Sequence, residues 1–199
     1  MPTTIEFFFD FSSPNAYFAA MQLPALAERH AAHIVYKPFL LGGLFKALDV
    51  NMTPGMTSPA KSANSLEDMQ RWSAKYGVPF RFPSRFPMNT VSALRIALAL
   101  SADGRDVRPF VEATYRAYWV DDRDISDAEV LRGMLQELGL DADALLARTQ
   151  DPTVKQALKD ATAEAGQRGL FGAPSFIVCG ELYFGKDRLD FVEDALRDA

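Results

Sequence analysis

The pattern of apolar and polar positions changes twice along this chain. Dense, short apolar runs occur at both ends, and helical spacing fills the middle. Ile5–Phe9 is too short for a helix and stops at Asp10, as a buried parallel strand does. Ser12-Ser13-Pro14 then predicts a helix start, with Ser13 as N-cap and Pro14 in the first helical position. That helix is expected to run towards His30 with a kink at Pro24, and Ile34–Phe39 to be a second strand.

Gly42–Asp49 reads as a short helix and Asn51–Pro59 as a loop rich in Pro, Met, Thr and Ser. Helical spacing predicts helices over Ala60–Tyr76, Thr90–Ala102, Val107–Trp119, Asp127–Leu138, Ala142–Thr149 and Thr153–Arg168. Strands return at Ser175–Cys179 and Leu182–Phe184, around Gly180-Glu181 as a two-residue hairpin turn with Gly first. An amphipathic helix over Asp187–Ala199, capped by Asp187, closes the chain. The expected architecture is α/β, in the order βαβ…ββα around a large all-helical insertion. Residues 1–41 and 171–199 would form one domain and 42–170 the inserted one, with a cleft where they meet.

Composition narrows the chemistry. With 199 residues, 48% of them hydrophobic and fifteen Phe, the chain can bury a sizeable core without metal or disulfides. A net charge of −5, with acids and bases mixed along the chain, argues against nucleic acid as a partner. No stretch is apolar enough for a membrane span, and the N-terminus lacks the basic region of a secretory signal, so a cytoplasmic protein is expected. Cys179 is the only cysteine, which excludes an intrachain disulfide and a CxxC redox pair. It is expected to be a buried strand residue. No metal site is expected: Asp121, Asp122 and Asp124 have Arg123 among them and read as helix-start capping.

Two places stand out chemically. Ser13 puts a hydroxyl at a helix N-terminus directly after a strand, among free backbone N–H groups and the positive dipole end, where an anion is stabilised. A plain N-cap is the alternative reading. Ala173-Pro174 leads into a strand, where a cis peptide would fit, although an ordinary strand-start proline also would.

Taken together, Phe9-Asp10-Phe11, Ser13-Pro14 with Tyr17, Leu41–Lys46, Phe86–Thr90, Gly169–Pro174 and Phe184–Arg188 resemble the 2-hydroxychromene-2-carboxylate isomerases and the related kappa-class glutathione transferases. The resemblance implies a thioredoxin-like fold in which Ser13-Pro14-Asn15-Ala16 replaces the Cys-Pro-X-Cys of disulfide oxidoreductases. It implies glutathione as cofactor, with Ser13 favouring its thiolate and serving as the catalytic residue. Ala173 and Pro174 would lie beside the cysteinyl unit, and Phe184, Gly185, Lys186 and Asp187 along the rest of the peptide. Lys46 and Asn89 would contact the substrate, a small aromatic carboxylate. A homodimer is also implied. The sequence departs from the family at Asp49–Pro54, at Ser12 and at Asn15, where relatives often carry an aromatic residue.

The activity implied is cis–trans isomerisation of an aromatic α-keto acid or its cyclic hemiketal. The glutathione thiolate would add reversibly to the conjugated double bond. A kappa-like transferase or peroxidase, and a non-catalytic thioredoxin-like binding protein, are the other readings.

Overall fold

A computed structural model of the chain describes residues 3–50 and 58–199. Most of the expected Asn51–Pro59 loop, including Asn51, lies outside the described residues. Strand β1 (Thr4–Phe9) leads into α1 (Pro14–Arg29) and then β2 (His33–Pro38). Helices α2 (Leu41–Ala47), α3 (Pro59–Tyr76), α4 (Val91–Ala102), α5 (Arg108–Trp119), α6 (Ala128–Glu137), α7 (Ala142–Arg148) and α8 (Pro152–Gln167) follow. The chain returns to β3 (Ser175–Val178), β4 (Glu181–Phe184), a 3-10 turn over Lys186–Arg188 and α9 (Leu189–Arg197).

The four strands form one mixed sheet in the order β2-β1-β3-β4. β1 runs parallel to β2, with Phe7 opposite Tyr36, and antiparallel to β3, with Phe7 opposite Phe176. Strands separated by the whole helical block are thus neighbours. This is the expected thioredoxin-like βαβ…ββα sheet with helices inserted between its halves.

The alternation in β1 explains how the sheet is covered. Phe7 and Phe9 stack 5.2 Å apart on one face, where Phe9 also meets Tyr115 of α5 and Phe7 meets Phe176. Glu6 and Phe8 point to the other face, towards Arg168 just beyond α8, which pairs with the Glu6 carboxylate and lies 5.2 Å from the Phe8 ring centre. Phe7, Phe8, Phe9 and Phe11 are all buried, so β1 is the centre of the core.

Local capping chemistry sets most helix starts. Ser13, Ser58, Asp127, Asp141 and Asp151 each accept a hydrogen bond from the first turn of the helix they precede. α1 runs unbroken through Pro24.

Three local expectations are corrected. The β3–β4 turn is Cys179-Gly180, one residue earlier than expected, because Val178 pairs with Glu181. Both turn residues have positive φ, 51° and 85°, as a two-residue turn of the I′ kind requires. Cys179 is therefore an exposed turn residue and not a buried strand residue. Asp187 does not cap α9: it sits in the 3-10 turn, and α9 begins after Arg188 with no side-chain cap.

Candidate active site

The turn from β1 into α1 is fastened from several directions. Asp10, 1% exposed, accepts from the Ser12 N–H at 2.9 Å, the Leu41 N–H at 2.8 Å and the Thr90 hydroxyl at 2.7 Å. One carboxylate thus joins the end of β1 to the start of α2 and the residue before α4. Burial outweighs these donors and pushes the Asp10 carboxyl above its ordinary value. From α5, the Tyr115 hydroxyl donates to the Asp10 carbonyl at 3.2 Å, and the Trp119 indole N–H donates to the Phe11 carbonyl at 2.9 Å.

This scaffold presents Ser13. Its Oγ accepts from the Ala16 N–H at 3.2 Å and donates to the Ala173 carbonyl at 2.8 Å. The Ala173–Pro174 bond is cis, and so is Phe86–Pro87, where a cis bond was not expected. Pro174 is buried, and its carbonyl accepts from the Gly185 N–H at 3.0 Å, tying the cis turn to the segment after β4. Gly185, at φ 107°, holds a backbone conformation that residues with a Cβ rarely adopt, and a Cβ there would also push on the Asp187 carboxylate, 2.5 Å away.

Ser13 opens on a pocket of about 580 Å³. Phe45, Phe82, Phe86, Phe171 and Phe184 give it largely aromatic walls, and Ala173 and Lys186 also line it. Phe171 and Phe184 meet with ring centres 4.5 Å apart at the exposed rim. Gly172 permits this arrangement, because a Cβ there would stand 2.6 Å from the Phe184 ring.

The predicted residues divide into two groups. Ser13, Ala173, Phe184 and Lys186 come together on the pocket wall. Pro174 and Gly185 support that wall from behind, and Asp187 is exposed and paired with Arg188 at 2.7 Å. Lys46 is exposed near the end of α2 and is not among the pocket-lining residues. Asn89 is exposed too, its side-chain oxygen accepting from the Val91 N–H at 3.0 Å.

Lys186 was expected at the site, but the residues that surround it were not. Lys186, 8% exposed, donates from Nζ to the Asn15 side-chain oxygen at 2.8 Å. Nζ also lies 3.6 Å from the Asp68 carboxylate and 5.0 Å from the Trp72 ring centre. Burial lowers the Lys186 pKa, and the Asp68 carboxylate acts against that shift. Asp68 accepts in turn from the Trp72 indole N–H at 3.0 Å.

Chemically, the pocket offers a hydroxyl and a helix N-terminus but little acid–base machinery. Among the described residues its lining includes no Cys and no His, and Asp68 and Lys186 are the charged groups. Tyr17, one turn along α1, donates to the Pro79 carbonyl, and burial raises its pKa to about 12. Among the described residues no group of His, Cys, Asp and Glu is placed to hold a metal ion, and no helix is long and apolar enough to cross a membrane.

The family described as DSBA-like thioredoxin domain matches residues 4–197. The chain is 37% identical to a 2-hydroxychromene-2-carboxylate isomerase of Sphingobium xenophagum, over 100% of both chains. It is 25% identical to glutathione S-transferase kappa 1 of Homo sapiens, over 98% of this chain and 92% of that one. A solved 2-hydroxychromene-2-carboxylate isomerase superimposes with a TM-score of 0.89 at 24% identity, covering 98% of this chain and 95% of the other, which shows a shared fold.

Proposed function

Because the chain belongs to the DSBA-like thioredoxin family, within the group of the 2-hydroxychromene-2-carboxylate isomerases and kappa-class glutathione transferases, we propose that it is a glutathione-dependent cis–trans isomerase. Its substrate is an aromatic α-keto acid, or the cyclic hemiketal of one, of the 2-hydroxychromene-2-carboxylate type. The observation that carries this reading is the setting of Ser13. A hydroxyl at the N-terminus of α1 faces an aromatic pocket whose described lining contains no cysteine or histidine. Among the described residues the Ser13 hydroxyl is bonded to the Ala173 carbonyl and the Ala16 N–H, and to no imidazole or carboxylate. This suits it to donate a hydrogen bond to a nucleophile that arrives with the cofactor.

Glutathione supplies that nucleophile. The Ser13 hydroxyl donates to the Ala173 carbonyl at 2.8 Å. Ala173 would hold the cysteinyl unit, and the Ser13 hydroxyl, which lies beside it on the pocket wall, would donate to the sulfur. A free thiol with a pKa near 8.5 is only a few per cent ionised at neutral pH. The Ser13 hydrogen bond and the helix dipole enlarge that fraction. Glutathione held there would supply a thiolate able to add reversibly to the conjugated double bond of the substrate, allowing cis–trans rotation, and would be recovered unchanged.

Phe184, Gly185, Lys186 and Asp187 hold the remainder of the peptide in this reading. The resemblance, more than their position, supports Lys46 and Asn89 as contacts of the substrate, with Lys46 acting as a point charge on the carboxylate. The same reading divides the chain into 1–41 with 171–199 and the insertion 42–170, and it implies a cytoplasmic homodimer.

Spectrophotometric conversion of 2-hydroxychromene-2-carboxylate, with and without glutathione, tests the proposal. Conversion should saturate with glutathione, and the thiol should be recovered unconsumed. Accumulation of a stable conjugate would favour a kappa-like transferase, the second reading that the human relative supports. Conversion at the same rate without thiol would sink both.

A further inference from the structure

We propose that Asp122 is a positioning residue for the aromatic wall of the Ser13 pocket: it pins the segment that carries Phe82 and Phe86, and through them sets how tightly an aromatic substrate is held. The inference rests on the reading above for the identity of that substrate, but the clamp itself follows from contacts away from the cofactor end of the pocket. Residues 78–90 join α3 to α4 and contain no helix or strand. Phe82 and Phe86 nevertheless line the pocket, with ring centres 5.1 Å apart. A segment without regular structure of its own must take hydrogen-bond partners from elsewhere.

Those partners come from the C-terminal end of α5 and the turn beyond it. The Trp119 carbonyl accepts from the Arg81 N–H at 2.8 Å, and the Tyr118 hydroxyl accepts from the Met88 N–H at 3.0 Å. Between these anchors, the Ser84 N–H donates to the Asp122 carboxylate at 2.7 Å, and the Ser84 hydroxyl donates to the same oxygen at 3.1 Å. Ser84 lies midway between Phe82 and Phe86 in the sequence. Both of those rings pack on Trp119, with centres 6.2 and 6.0 Å from its own. The segment is thus held by an indole at its rings and by a carboxylate at its backbone.

Asp121, Asp122 and Asp124 were expected to cap a helix start, but Asp127 caps α6. Asp122 instead holds a left-handed backbone, φ 56°, which Asp tolerates better than most residues with a Cβ. Such backbones persist where the surroundings fix them, and here the bonds to Ser84 do so. Asp122 also pairs with Arg81 at 3.1 Å, and Asp124 with Arg85 at 2.7 Å. Those two arginine side chains are 62% and 66% exposed, so water and salt screen both pairs. The charge-assisted bond from the Ser84 N–H is the stronger restraint. It is also the main cause of the Asp122 carboxyl lying below its ordinary value. Asp122, Ser84, Arg81 and Arg85 are not among the pocket-lining residues. Asp122 therefore acts on a ligand through Phe82 and Phe86.

Two substitutions separate the hydrogen bond from the backbone. Asp122→Gly removes the acceptor and adopts φ 56° without strain. Asp122→Asn keeps an acceptor oxygen and tolerates that backbone, but loses the charge. Wild type and both variants are compared by steady-state kinetics with 2-hydroxychromene-2-carboxylate and by isothermal titration with reduced glutathione. A second titration uses 1-naphthoate, an aromatic carboxylate that needs no turnover. In Asp122→Gly, the KM for the substrate and the Kd for 1-naphthoate should rise roughly fivefold or more, while kcat and the glutathione Kd stay within about twofold of wild type. Asp122→Asn should recover most of that loss. A merely structural role would lower the melting temperature of Asp122→Gly and leave KM and both Kd values alone, and that result would overturn the proposal. Equal weakening of glutathione would overturn it too, because the pocket as a whole would then have loosened. If wild type does not turn over 2-hydroxychromene-2-carboxylate but 1-naphthoate weakens as expected, the isomerase reading fails and the positioning role stands. A wild type that neither turns over the substrate nor binds 1-naphthoate would overturn both.

Discussion

Ser13 combines a structural task and a chemical one, and mutation can separate them. It caps α1 through the Ala16 N–H, and it points its proton at the Ala173 carbonyl beside the cis proline. Loss of a cap costs about 1 kcal/mol, which a folded domain of this size tolerates. Loss of a hydrogen bond to a thiolate costs about 1.5–3 kcal/mol, or roughly ten- to a hundredfold in rate. Ser13→Ala is therefore expected to keep its fold and lose most of its glutathione-dependent turnover near neutral pH. Its rate should climb towards wild type as the pH rises past the thiol range, because bulk ionisation then supplies the thiolate. A pH–rate profile for both proteins checks this, and equal rates across the profile would reduce Ser13 to a cap. The cap and the proline were legible in sequence because both are local rules acting over three or four residues. The Ala173 contact was not, because it joins residues that only the sheet brings together.

Asp10 ties elements together, and that gives it a readable pH signature. Its carboxylate joins the end of β1 to the first N–H of α2 and to Thr90 at the start of α4. Burial holds its folded-state pKa above the value of an unfolded Asp, about 3.9. A raised folded-state pKa means that the folded chain binds this proton more tightly than the unfolded chain does. The stabilisation is complete below the unfolded value and is lost as pH rises through the folded one. Asn cannot titrate, so the stability advantage of wild type over Asp10→Asn should be largest in acid and should narrow as pH rises. Urea unfolding of both proteins between about pH 3 and pH 8 measures it. An advantage that grows with pH would mean that the donors around Asp10 outweigh its burial. Most elements were visible in the spacing of apolar residues, and α1, α3 and α8 each also begin with a proline directly after a polar cap. The β3–β4 turn was misplaced by one residue because Gly180-Glu181 and Cys179-Gly180 are both plausible two-residue turns. Only the register of Val178 against Glu181 chooses between them. Asp187 looked like a cap for a similar reason, before the 3-10 turn that holds Lys186 in the pocket was known.

At the scale of the whole molecule, the pocket is built from parts far apart in the chain, and this limited what its sequence could reveal. Ser13 comes from the first strand–helix turn, Asp68 from α3, and Ala173 and Lys186 from the returning sheet. The motifs announced the first and last of these, but the meeting of Asp68 with Lys186 depends on how α3 lies against the sheet unit. A site assembled this way should couple ligand binding to the stability of the entire fold. Glutathione bound to the folded chain alone stabilises it by RT ln(1 + [L]/Kd), about 2.7 kcal/mol at a hundredfold excess over Kd. For a chain of 199 residues that corresponds to a rise in melting temperature of roughly 5–10 °C. Cys179 is exposed and is the one thiol of the chain, so a mixed disulfide could imitate such a shift. The measurement therefore uses reduced glutathione with a phosphine reductant, on wild type and on Cys179→Ser. Both proteins should show the same concentration-dependent shift, and neither should reduce insulin disulfides, because no second cysteine exists to resolve a mixed disulfide. A shift confined to wild type would trace the effect to Cys179. No shift in either protein at millimolar glutathione would leave the aromatic pocket without its proposed cofactor and would favour a thioredoxin-like binding protein.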